Sequence, residues 1–166
     1  MSTVAAGDAG LVEIRIVGLP IELYVEASRH HEELRREFLL IASSASGGES
    51  SKVPARLLAL IQDLEQRFQA FTAEPQTALS DAVEKQAPSV DLVYRLPAEV
   101  GPAAAEFDVL LDEADAYCRE GATLLTLATS PEALAFRRWF LQEFVRQAAG
   151  DAPQPWSEFP PAAGAP

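Results

Sequence analysis

Three times along this chain a short apolar segment runs into a proline-bearing turn and then into an amphipathic stretch. The junctions read Ile16-Val17-Gly18-Leu19-Pro20, Tyr94-Arg95-Leu96-Pro97 and Leu127-Ala128-Thr129-Ser130-Pro131. Each leading segment alternates with the period of a strand. Each following one repeats apolar residues at helical spacing. A chain built this way packs amphipathic helices on a small sheet. The expected fold class is therefore α/β or α+β, helix-rich, with about five helices on a three-stranded sheet.

The strands are expected at residues 11–17, 90–96 and 123–128. In the first, Val12, Ile14 and Ile16 share one face, and Gly18-Leu19-Pro20 is expected to end it. In the second, Val90, Leu92, Tyr94 and Leu96 alternate with Asp91, Val93 and Arg95. The second strand, the helix after it and the third strand fit a right-handed parallel crossover. Helices are expected at about 20–42, 54–71, 75–86, 102–119 and 131–150. The 54–71 segment carries the cleanest stripe: Leu57, Ile61, Leu64, Phe68 and Phe71. In the 75–86 helix, Leu79 and Val83 are expected to face inward. Gly121 suits the cap of the fourth helix. Ser130-Pro131-Glu132 combines an N-cap, an N1 proline and an early acid at the start of the last.

Residues 1–10 and 43–52 read as flexible, the latter for its five serines and two glycines. One globular domain is expected over 11–150. The 151–166 tail carries five prolines, with Trp156 and Phe159 as its large apolar residues. Such a tail is either disordered or laid along the surface.

Charge narrows the partners. With 25 acids against 13 bases the net charge is -12, a field that repels a phosphate backbone. Nucleic acid is not an expected partner. No apolar run approaches the ~20 residues of a membrane span, and the first ten residues do not resemble a signal peptide. A cytoplasmic location is expected, with no membrane partner, and a homo-oligomer is compatible with the sequence. Cys118 is the single cysteine. It builds neither a disulfide nor a CxxC zinc site and reads as a half-buried helix residue. The segment Ser46-Gly47-Gly48-Glu49-Ser50-Ser51-Lys52 lacks the ending and the preceding strand of a phosphate loop. No cofactor is expected.

Three clusters are chemically suggestive. Glu26, His30, Glu33 and Glu37 line one face of the first helix, the pattern of one half of a bundle metal site. The matching half is missing, because His30 and His31 are the only histidines. A solvated face dressed by ion pairs is the simpler reading, and His31 falls near the apolar stripe. Asp108, Asp112 and Asp115 share a face of the fourth helix, either solvated or docking a basic partner. On the last helix, Phe136, Phe140 and Phe144 read as core. Trp139, set around the helix from them beside Arg138 and Arg146, is a candidate partner-binding patch, with burial the alternative.

Residues 124–145, LLTLATSPEALAFRRWFLQEFV, resemble the opening strand and helix of the anti-sigma-factor serine kinases. Those proteins belong to the GHKL ATPase superfamily and act in bacterial partner switching. The resemblance spans 22 residues and carries no specific motif. The family's asparagine box and glycine-rich lid have no counterpart in a chain without asparagine, so kinase activity is not implied. The Ala-, Arg- and acid-rich composition resembles that of actinobacterial proteins. The expected function is a non-enzymatic regulatory protein that binds a protein partner, such as an accessory of a partner-switching system. The alternatives are a metal-binding domain or enzyme using Glu26, His30, Glu33 and Glu37, and a small-molecule sensor with an apolar pocket.

Overall fold

The computed structural model describes residues 10–44, 52–120 and 129–159. The order of elements is β1 (Leu11–Pro20), α1 (Ile21–Ser44), α2 (Lys52–Phe68), α3 (Ala73–Glu84), β2 (Ser89–Pro97), α4 (Val100–Glu120) and α5 (Pro131–Ala148). Short 3-10 turns follow α2 at Gln69–Phe71 and lie in the tail at Trp156–Glu158. The fold is helix-rich α+β.

Among the described residues the sheet has two strands, β1 and β2, paired antiparallel. The expected third strand at 123–128, and with it the parallel crossover and the Gly121 cap, lies outside the described residues. β1 also runs further than its sequence suggests. Gly18 adopts φ +71 and its N–H donates to Asp91 Oδ1 at 2.7 Å. The register steps from Ile16↔Leu92 to Leu19↔Val90, so β1 holds one extra residue there. That is a β-bulge with glycine in the left-handed position. It resets the alternation, and Leu19 is buried with Ile14 and Ile16 although its number is odd. Pro20 therefore closes the strand and does not enter the helix.

The free edge of β1 meets α5. Gln147 Oε1 accepts from Arg15 N–H, and Gln147 Nε2 donates to the Arg15 carbonyl, both at 2.8 Å. One side-chain amide thus supplies the donor and acceptor that a neighbouring strand would offer.

The core lies under the inner face of this ribbon, formed by Ile14, Ile16, Leu19, Leu92 and Leu96, and continues between the helices through Leu34, Phe38, Leu57 and Leu111. α4 and α5 pack closely: a Cβ built on Gly101 would lie 2.9 Å from Ala148 Cβ. In α3 the inward residues are Leu79 and Ala82, while Val83 is 37 % exposed.

The tail is laid along the surface as far as Phe159. Trp156 meets Trp139 edge-on at 5.4 Å and stacks with Phe159 at 6.0 Å. Trp139 Nε1 donates to the Gln154 carbonyl at 2.8 Å. The buried Glu143 carboxylate accepts from Gln154 N–H, Gln147 Nε2 and Arg146. Three donors of this kind are what a carboxylate needs to remain in an interior.

Candidate functional site: a cavity between α1, α4 and α5

α1 crosses the α4–α5 pair and leaves a cavity of about 320 Å³. This is the lower end of the size range of small-molecule sites. Its walls are mostly apolar, with Tyr24 and Leu34 from α1, Phe107 and Leu111 from α4, and Phe136 and Phe140 from α5. Each comes from its helix stripe, so the stripes that build the core also build the cavity.

A connected polar strip runs along this apolar wall. Thr129, just before α5, donates its hydroxyl proton to Asp115 Oδ1 at 2.5 Å, and its N–H reaches the same oxygen at 3.2 Å. The Thr129 oxygen then accepts, so His30 Nε2, at 3.1 Å, carries the proton. Asp115 Oδ2 accepts from Arg137 at 2.7 Å. Arg137 also pairs with Asp112 and, at 3.6 Å through Nε, with Asp108. Neither Asp108 Oδ1 nor Arg137 Nε makes a hydrogen bond. Next to His30, Glu26 accepts from Ser130, whose Oγ caps α5 by accepting from Ala133 N–H.

These partners set the protonation states. Burial raises the Asp115 carboxyl, but the Thr129 and Arg137 hydrogen bonds and the Arg137 charge outweigh it and hold it below the usual carboxylate range. Asp108 is raised, by burial first, with Arg137 opposing. His31 lines the cavity and meets Phe107 edge-on at 6.3 Å. Burial holds it below the ordinary imidazole value against the pull of Glu32, so it is neutral near pH 7 and able both to donate and to accept. Burial pushes the Cys118 thiol up to about 11, which leaves no thiolate at neutral pH. A weakly basic Asp115 and a protonated Cys118 suit positioning and binding better than nucleophilic chemistry.

The residues singled out in the sequence are distributed as follows. Asp108, Asp112 and Asp115 do share one face, and that face is gathered around Arg137. Arg138 is half-exposed and lies 3.5 Å from Asp112. Trp139 is fully buried and is not part of a surface patch, because the tail covers the side of α5 on which it stands. Arg146 bonds Glu143 and the tail carbonyl of Ala152. Of the four candidate metal ligands, Glu26 and His30 hold the start of α5, and Glu33 is exposed. Among the described residues no group of three or more His, Cys, Asp or Glu side chains is arranged to hold a metal ion. No described helix is long and apolar enough to cross a membrane.

Sequence reasoning missed Thr129 and Arg137. The available signals were the Thr-Ser-Pro start of α5 and the Arg137-Arg138 pair facing the α4 carboxylates. Comparison of the chain with known protein families, with curated proteins and with solved structures finds no match.

Proposed function

We propose that this protein is a non-enzymatic sensor that binds a small, predominantly apolar molecule between α1, α4 and α5. The observation that carries this reading is the cavity itself: an apolar space of ligand size, lined by one connected polar strip and by a neutral His31. Such a combination orients a ligand through a few polar groups while the apolar walls supply affinity. The regulatory role expected from the sequence takes a concrete form here. A ligand bridging α1 to the α4–α5 pair stabilises one arrangement of these helices, and a partner reads that arrangement.

1-Hexanol tests the site, since it has an apolar body and one hydroxyl. In isothermal titration calorimetry the wild-type protein is expected to give a saturable isotherm. Ala27, half-buried on the cavity wall, is the position to fill. Ala27→Trp is expected to weaken binding by about tenfold or more, roughly 1.4 kcal/mol, with the helical circular dichroism unchanged. Equal binding by both proteins would place the alcohol elsewhere.

A further inference from the structure

A second cavity, of about 420 Å³, lies between α2, α4 and α5. Its sides are again apolar, with Phe68, Val100, Ala104 and Phe144 among them, and Glu65, Gln69 and Thr72 stand at its polar part. Phe107, Phe140 and Leu141 line both cavities. The wall between the two spaces is therefore one layer of side chains. Phe107 is half-buried, and a χ1 change of such a ring moves it between staggered wells without moving the backbone.

We propose that the two cavities form one elongated site, past Phe107, for a single unbranched alkyl chain bearing an uncharged hydroxyl head that bonds His31. This rests on the reading that the first cavity is a ligand site. The head group follows from the charges. An anionic head would meet the carboxylates of Glu32 and Asp115 on the cavity wall, and the one cation there, Arg137, is already paired with Asp115 and Asp112. A cationic head would find Glu32 only at the exposed rim, where water screens the pair, while inside Asp115 already accepts from Thr129 N–H, from the Thr129 hydroxyl and from Arg137. A hydroxyl both donates and accepts, as a neutral imidazole does, and leaves no charge in the apolar space.

The experiment is a calorimetric series of straight-chain alcohols from hexanol to dodecanol, with dodecanoate and dodecylamine as charged controls, at pH 7. Affinity is expected to rise about fourfold per added methylene and to keep rising past the length at which the first cavity is full. Ala104→Phe fills the second cavity from α4. Thr72→Trp, from a half-buried position, fills it without loading the core. Both are expected to bind hexanol as the wild type does and to lose the gain from the longer chains. Dodecanoate and dodecylamine are expected to bind at least about tenfold more weakly than dodecanol. A plateau in the wild type at the length where the variants level off would overturn the joined site while leaving the first cavity as a ligand site. Binding of dodecanoate as tight as that of dodecanol would overturn the uncharged head. No binding by any alcohol, hexanol included, would remove both this proposal and the reading beneath it.

Discussion

Trp139→Ala is expected to destabilise the protein by about 3–5 kcal/mol, the usual cost of emptying a buried aromatic position. The indole is fully buried, packs against Phe136 and Trp156, and donates to the Gln154 carbonyl. Truncation leaves a void and an unpaired carbonyl, and it removes the seat of the tail. The midpoint of urea unfolding should fall accordingly. Limited proteolysis should cut between 151 and 159 sooner than in the wild type. Trp139→Phe should lose much less, because it keeps most of the ring volume and gives up one hydrogen bond of about 1 kcal/mol. A truncation that left the midpoint unchanged would contradict the burial of this residue and favour the surface patch that the sequence also allowed.

Arg137→Met is the second large effect. The guanidinium is 13 % exposed and faces three carboxylates, of which Asp115 is 6 % exposed. Removing this buried cation costs about 3 kcal/mol at neutral pH, because the buried Asp115 charge is left uncompensated, while the more exposed Asp112 keeps Arg138 and solvent beside it. The pH dependence has a definite sign. In the wild type the lowered Asp115 contributes stability above the unfolded carboxylate value of about 3.9 and loses it as pH falls through the folded value. Without Arg137 the burial of Asp115 and Asp108 is unopposed by that charge. Their protonation then relieves the variant, and its deficit against the wild type should shrink as pH is lowered toward 4. A deficit constant from pH 7 to pH 4 would show that the lost packing of the arginine stem, and not charge, sets the cost.

Much of this architecture follows from local patterns. The stripes of α1, α2 and α4 face the core as their spacing requires, with Leu34, Leu57, Ile61 and Leu111 buried. The Ser130 cap forms as its sequence suggests. Gly150 takes φ +101 just past the end of α5, the usual place for a left-handed glycine. What was not legible depends on contacts between distant segments. The bulge at Gly18 needs Asp91 on the other strand. The burial of Trp139 needs a proline-rich tail whose composition alone reads as loose. The cavity wall is written into the stripes, but whether facing stripes close or leave a space depends on side-chain volumes across three helices. Asp108, Asp112 and Asp115 were legible as a set, whereas Arg137, which they gather around, was one cation among 13 bases.

A ligand site between α1, α4 and α5 can be seen residue by residue in nuclear magnetic resonance of the wild-type protein titrated with 1-hexanol. Carbon–proton signals of the methyl and aromatic side chains serve as the probe. Saturable shifts are expected, centred on Leu34, Phe107, Leu111 and His31, with the exposed Leu39 and Leu40 unmoved. Shifts that rise linearly without saturating, or that fall on Leu39 and Leu40 and leave the cavity residues still, would contradict such a site.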